Sequence, residues 1–314
     1  VSKPAKPITA WAITTGETGM RTQARGLAAA VADIVVEKTV RTGLGSIGRG
    51  GDRLEPPWPD LVISCGRRAA TSTLAVGKAS GGRALMVHVQ DPRARADRFD
   101  LIVAMDHDAI APGGQVIKVA TALHDLTSDN LAEAGQAWSA RLAPLGSPLV
   151  GVIIGGTLRG RPFTLADGRV LLAGLRRLRD EGGAALAITP SRRTPDTVRA
   201  LFAQAFAGDE RVFLWNMEGD NPYRGILALA DRLVVTSDSV SMVSEALSTA
   251  HPVEIFDLGF PRHAAFIQGL IDKGFARRFT GDPSPPPMAG PVNATLQAAE
   301  AVRILLQART GVAG

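Results

Sequence analysis

Serines at positions 237, 239 and 241, Asp238 and Glu245 follow the apolar run Leu233–Thr236. The run predicts a strand, and Val240–Ser248 predicts a helix. The first N–H groups of a helix have no internal partner, and its dipole favours negative charge there. A strand that ends in hydroxyls at a helix start therefore suits a phosphate. Ser237, Ser239 and Ser241 add hydroxyl donors beside Met242, and Glu245 can accept hydrogen bonds from a ribose. The same residues also suit a plain helix start with Asp238 or Ser239 as the cap.

Three preceding strands in the second half end in similar chemistry. Gly155, Gly156 and Thr157 follow Leu149–Ile154, Ser191 and Arg192 follow Ala185–Thr189, and Asn221 lies in the turn after Val212–Leu214. Four consecutive strand ends of this kind point to a nucleotide site. In the first half, Gly16 and Gly19 permit a tight turn, Gln23 follows them, and Glu17 is a candidate general base. This turn is neither Gly-x-Gly-x-x-Gly nor a phosphate loop ending in Gly-Lys-Ser/Thr. Gly66 opens an expected helix with Arg67 and Arg68 in its first turn, where positive charge opposes the helix dipole and hints at an anionic partner. Gln90, Asp91 and Arg93 follow another strand end, with Asp91 a second candidate base. His88 alternates within its strand as a packed residue. Cys65 reads as a packed thiol because no His–Asp partner is near it in sequence. His107 and Asp108 have too few companions for a metal site, and none is expected.

The elements that must position these residues alternate regularly. Strands are expected at Ile8–Thr14, Ile34–Thr39, Leu61–Ser64, Leu85–Val89, Leu101–Ala104 and Val116–Val119, with helices at Thr22–Ala32, Arg67–Lys78 and Ser128–Leu142. Strands at Leu149–Ile154, Ala185–Thr189, Val212–Leu214, Leu233–Thr236 and Val253–Phe256 continue the alternation. Their helices are expected at Leu165–Glu181, Pro195–Ala207, Pro222–Ala230, Val240–Ser248 and Arg262–Lys273. Short β-branched runs between helices imply parallel sheets covered on both faces, an α/β class. The chain of 314 residues suits two domains of about 150 residues each. The turn-rich Ala143–Pro148 places the boundary, giving Rossmann-like domains over 1–145 and 146–290 that face a cleft. The Pro-rich Asp282–Pro291 lets a last helix, Asn293–Gln307 within 291–314, return to the first domain.

Hydrophobic residues at 45% and charged residues at 21% describe a folded chain rather than a disordered one. No apolar run approaches the ~20 residues of a membrane span. The polar Val1–Pro7 has no apolar segment after it, so no signal peptide is expected and the cytoplasm is the expected compartment. One cysteine excludes an internal disulfide framework. The net charge of +5 is carried by Arg, and aromatics are only 5%. An anionic small molecule or the inner face of a membrane fits this balance better than a nucleic acid does.

The stretches Thr15–Gln23, Pro57–Arg68, Val89–Arg93, Phe99–Val103, Ile154–Gly156, Thr189–Pro195, and Glu218–Tyr223 running on to Ser237–Glu245 together resemble the mitochondrial-fission elongated-mitochondria family in its bacterial branch. The resemblance implies a glycosyltransferase-B-like architecture. It implies that Ser239 and Ser241 hold a donor diphosphate and Glu245 the ribose. Where the family turn carries a His, this chain has Met20, so a catalytic His there is not expected; Arg159 or Arg161 would supply charge after Gly156. The function expected is a metal-independent glycosyltransferase with a nucleotide-diphosphate sugar donor, no cofactor, and a lipid or cell-envelope saccharide acceptor. Arg192 and the serine helix start would neutralise the leaving diphosphate, and Glu17 or Asp91 would take the acceptor proton. The alternative is a non-catalytic scaffold on the same fold that recruits a partner protein or a membrane. A nucleotide-sugar epimerase fits poorly, because the dinucleotide glycine fingerprint is missing and Leu227 stands where a Tyr-x-x-x-Lys lysine would follow Tyr223.

Overall fold

The computed structural model describes residues 6–41, 51–158, 160–287 and 289–311. The chain divides into two units, Val1–Asp125 with Asn293–Gly314, and Leu126–Val292. Each is a parallel six-stranded sheet covered by helices, the Rossmann-like α/β class expected from the sequence.

The first unit contains β1 (Thr9–Thr14), α1 (Thr18–Val31), β2 (Ile34–Thr39), β3 (Leu61–Cys65), α2 (Ala70–Ala79), β4 (Leu85–Val89), β5 (Leu101–Met105) and β6 (Val116–Val119). The order across its sheet is β2-β1-β3-β4-β5-β6. Side chains alternate between two apolar layers. Leu61, Ile63, Val87 and Val103 pack under Leu27, whereas Trp11, Ile13 and Val62 pack on the opposite face with Val76.

The second unit contains α3 (Ser128–Leu142), β7 (Leu149–Ile154), α4 (Leu165–Asp180), β8 (Ala185–Pro190), α5 (Asp196–Ala205), β9 (Val212–Leu214), α6 (Tyr223–Leu229), β10 (Arg232–Thr236), α7 (Val240–Leu247), β11 (Val253–Phe256), α8 (Pro261–Asp272) and β12 (Arg277–Arg278). Its sheet runs β12-β11-β10-β7-β8-β9. Val152, Leu186 and Val234 meet Leu171 and Phe202 in its core. The last helix, α9 (Ala294–Gly311), belongs to the first unit. Thr295 fixes its start, its Oγ1 accepting from the His124 amide at 2.9 Å and donating to the His124 carbonyl at 3.0 Å.

The expected strands fall within one residue of those observed at each end. Helix α1 starts four residues before the expected Thr22, because the Glu17 carbonyl accepts from the amides of Met20 and Arg21 and so closes the first turn. Helix α2 starts three residues after the expected Arg67, because Gly66 has φ +86° and Gly66–Ala69 form a turn instead. The division between the units falls after Asp125 rather than near residue 145. Helix α3 opens there with a reciprocal Thr127–Asn130 cap and lays Gly135 against Ala228 and Leu229 of α6. The Pro-rich crossing is anchored to the second sheet. Arg232 donates to the carbonyls of Asp282 and Pro283, Arg277 donates to that of Ser284, and both guanidinium groups meet the fully buried Glu254.

Candidate functional site

Strand order locates the crevice in each unit. In the second sheet the chain moves from β7 outward to β8 and β9, then restarts at β10 on the other side of β7. Ligands of open α/β sheets bind beyond the carboxyl ends of strands where the order reverses, here β7 and β10. Those two ends carry Gly155–Thr157 and Ser237–Ser239.

The two turns are bound to each other through Asp238, whose side chain is fully buried. Its carboxylate accepts from Thr236 Oγ1 at 2.6 Å and from the Gly156 amide at 2.8 Å, and it pairs with Arg193 Nη2 at 2.9 Å. The Gly155 amide bonds Thr236 Oγ1 at 2.8 Å, and the Thr157 amide bonds the Arg193 carbonyl at 3.1 Å. The glycines are required by this packing. A Cβ on Gly155 would lie 2.1 Å from Asp238 Oδ1, and one on Gly156 would lie 1.9 Å from the Arg193 carbonyl oxygen. The amides of Gly155, Gly156 and Thr157 are therefore all engaged within the protein, by Thr236, Asp238 and Arg193. The Thr157 hydroxyl also accepts from the Phe163 amide at 3.1 Å.

Ser237 likewise leaves the set of phosphate donors. It is 1% exposed, donates to Asp257 Oδ1 at 3.1 Å and accepts from the Leu258 amide at 2.8 Å, which ties β10 to the end of β11. Ser239 caps α7 by accepting from the Met242 amide at 3.3 Å. That bond engages the Met242 N–H but leaves the Ser239 hydroxyl proton able to donate. The amides of Val240 and Ser241, in the first turn, have no intrahelical acceptor. Ser241 is half-buried on that turn. One turn on, Glu245 accepts from Tyr223 Oη at 2.5 Å, a bond from the start of α6 that fixes the carboxylate on α7.

At the end of β8, Ser191 and Thr194 build the turn. Thr194 Oγ1 accepts from the Ser191 amide at 2.9 Å and donates to the Gly155 carbonyl at 2.5 Å. Arg192 is exposed, and it is its neighbour Arg193 that reaches Asp238. Asn221 is exposed and accepts from the Tyr223 amide at 3.0 Å, shaping the entry to α6. Arg161 forks onto Asp167 at 3.0 and 3.1 Å in the α4 cap, so its charge is engaged there; Arg159 lies outside the described residues.

In the first sheet the order reverses between β1 and β3. Gly16, with φ +99°, makes the turn after β1, a conformation that favours glycine. Gly19 sits within the first turn of α1 rather than in the tight turn expected of it. Gln23 is buried and donates to the Gly19 carbonyl at 3.2 Å, a packing role. Glu17 accepts from Thr15 Oγ1 at 2.5 Å. That bond, its own amide and the charge of Arg68 hold its carboxyl below the usual range, which makes it a weak base. Asp91 accepts from the Arg93 amide at 2.7 Å and pairs with its guanidinium at 3.4 Å. Gln90 and Arg93 have φ +79° and +66°, and Arg67 and Arg93 are exposed.

Burial pushes the Cys65 thiol up, and burial pushes His88 down to about 4. His88 bonds Ser64 Oγ through Nδ1 at 2.8 Å and packs on Phe99. Among the described residues no three His, Cys, Asp or Glu cluster to hold a metal, and no helix is long and apolar enough to cross a membrane.

A family model described as mitochondrial fission ELM1 matches residues 18–306. The chain belongs to this family. The mitochondrial fission protein ELM1 of Arabidopsis thaliana is 30% identical over 291 residues, covering 84% of this chain and 68% of that protein. Among solved structures, a UDP-GlcNAc 2-epimerase from Methanocaldococcus jannaschii aligns with a TM-score of 0.60 at 11% identity, covering 95% of this chain and 99% of that one. MurG of Acinetobacter baumannii aligns with a TM-score of 0.51 at 13% identity, over 95% and 100%. These structures share the fold.

Proposed function

We propose that this ELM1-family chain binds a nucleotide-diphosphate sugar in its second unit and transfers the sugar to an acceptor. The observation that carries the reading is the α7 start at the β7–β10 reversal. There the Val240 and Ser241 amides and the Ser239 and Ser241 hydroxyls surround one helix N-terminus, with Glu245 held by Tyr223 one turn beyond. The donors suit a diphosphate, and an oriented carboxylate suits ribose hydroxyls. The UDP-GlcNAc 2-epimerase on this fold supports a nucleotide sugar as the ligand class. In the transfer step the bond from the anomeric carbon to the diphosphate breaks as the acceptor oxygen bonds that carbon. The α7 start and the exposed Arg192 take up the charge on the departing diphosphate. The acceptor proton passes to a carboxylate, Glu17 or Asp91. The acceptor is a lipid or envelope saccharide, and the protein contacts the membrane peripherally.

The second reading, a non-catalytic recruiting scaffold, is favoured by one observation: both candidate bases are already engaged, Glu17 with Thr15 and Asp91 with Arg93. Incubation with nucleotide sugars and membrane extract separates the readings. Release of nucleoside diphosphate, lost in Glu245→Ala, supports transfer. An epimerised nucleotide sugar without release replaces transfer by epimerisation, and an unchanged nucleotide sugar that still binds supports the scaffold.

A further inference from the structure

The first unit carries a cationic edge that the donor site does not use. Strands β3 and β4 pair in register from Leu61–Leu85 to Cys65–Val89, and the Gly66 amide bonds the Val89 carbonyl at 3.3 Å. The two turns that follow therefore start side by side. The first presents Arg67 and Arg68; the second presents Arg93, Arg95 and Arg98. All five are exposed, and only Arg93 has an ion-pair partner, Asp91. Arg67, Arg68, Arg95 and Arg98 make no side-chain hydrogen bond or ion pair among the described residues. The acidic groups on the same turns are Asp91 and Asp97, with Glu17 across the β1–β3 reversal, where it feels the charge of Arg68.

Nothing intrinsic to the fold favours this arrangement. Arg67 and Arg68 stand just before α2, where positive charge opposes the helix dipole. Arg93 and Arg95 occupy left-handed backbone, with φ +66° and +55°. Guanidinium groups are planar forks that match phosphate oxygens, and several presented by two adjacent turns suit a group of more than one negative charge.

We propose that the β3–β4 edge of the first unit binds a phosphate-bearing group through Arg67, Arg68 and Arg95. The site stands independently of the donor reading in the second unit. If that reading also holds, the acceptor is itself a phosphate ester or diphosphate.

The test is calorimetric titration with inorganic pyrophosphate at low salt, on the full chain, on Arg67→Gln/Arg68→Gln/Arg95→Gln and on Ser241→Ala. The substituted arginines are exposed, so unchanged melting temperatures serve as the folding control. The expected result is a pyrophosphate affinity that falls about tenfold or more in the arginine variant, as charge-assisted hydrogen bonds are lost. Any pyrophosphate held at the α7 start is the part that Ser241→Ala removes; the arginine-dependent part should be the same in the native chain and in Ser241→Ala and should weaken as salt rises. A parallel flotation with vesicles of phosphatidylcholine, with and without phosphatidic acid, distinguishes the source. Flotation that needs phosphatidic acid and the arginines identifies a lipid headgroup, whereas pyrophosphate binding without flotation identifies a soluble phosphate ester. No pyrophosphate binding and no flotation overturns the site, as does binding equal in the arginine variant or lost only in Ser241→Ala. Nucleoside-diphosphate binding that is sensitive to Glu245→Ala reports the donor reading separately, so the two proposals can fail independently.

Discussion

Replacing Asp238 and Gly155 together tests whether one buried carboxylate really joins the two turns of the second unit. Asp238→Ala removes the acceptor for the Gly156 amide and the Thr236 hydroxyl, at 2.8 and 2.6 Å. Two buried bonds to a charged acceptor predict a loss of about 3–5 kcal/mol. The Arg193 pair adds about 1 kcal/mol at most, because that side chain is 40% exposed. Gly155→Ala places a Cβ 2.1 and 2.2 Å from the Asp238 oxygens, which three partners hold in place. Overpacking of this kind costs about 1–3 kcal/mol. In the double variant the carboxylate is gone and so is the clash, so the two costs fall short of their sum by about 1–2 kcal/mol. Gly156→Ala is the control, since its clash is with the Arg193 carbonyl and persists without Asp238. Urea unfolding, followed by Trp138 and Trp215 with Trp11 and Trp58 replaced by Phe, reads the second unit alone. Additivity within about 0.5 kcal/mol for Gly155 and Asp238 would show that Asp238 does not join the two turns.

Three further predictions follow from the same geometry. Tyr223→Phe releases Glu245, so the preference for a nucleoside diphosphate over its 2′,3′-dideoxy analogue should fall about three- to tenfold while affinity for pyrophosphate holds; an unchanged preference removes Tyr223 from the positioning of Glu245. His88 is buried neutral with its pKa lowered to about 4, so its contribution is fully present above about pH 6.5 and is lost as pH falls toward 4. At pH 5 that loss is about 2 kcal/mol, and the acid loss of stability should be smaller by that amount in His88→Leu; parallel pH profiles would contradict it. Glu254→Gln leaves Arg232 buried without its counter-charge and should destabilise the second unit by about 3–5 kcal/mol in urea unfolding, whereas a change under about 1 kcal/mol would show that the carbonyls of Asp282 and Pro283 suffice.

The sheets were legible in the sequence because their strands are nearly continuous apolar runs, of which Leu61–Cys65, buried at every position, is the plainest. Strand β12 was not, since it is two arginines whose pairing with Glu254 and Ile255 has no local signal. The unit boundary was misplaced because Ala143–Pro148 has the composition of a linker, while the change of partner follows Asp125, with α3 packing on α6 of the second unit. The α7 start was legible from its serines and from the strand before it. Which hydroxyls are free was not legible, because that depends on long-range partners: Ser237 is engaged by Asp257 and Leu258 at the end of the neighbouring strand. The same limit hid the reason for Gly155 and Gly156, whose neighbours Asp238 and Arg193 lie on other turns. Arg192 and Arg193 are indistinguishable as sequence, and only the turn geometry decides which reaches Asp238. Tyr223 lies 22 residues from Glu245 and carried no signal beyond being the single tyrosine of the chain.

Nucleotide binding at the α7 start is tested by thermal denaturation of the purified protein against a panel of nucleoside diphosphates and nucleotide sugars. A ligand that binds only the folded state raises the melting temperature by linkage, about 2.7 kcal/mol at a hundred times its Kd. A nucleotide site at the α7 start gives a selective rise with one base, abolished in Glu245→Ala and reduced in Ser241→Ala, with Arg67→Gln/Arg68→Gln/Arg95→Gln responding like the native chain. No rise with any nucleotide at millimolar concentration, or a rise that survives Glu245→Ala intact, would contradict it.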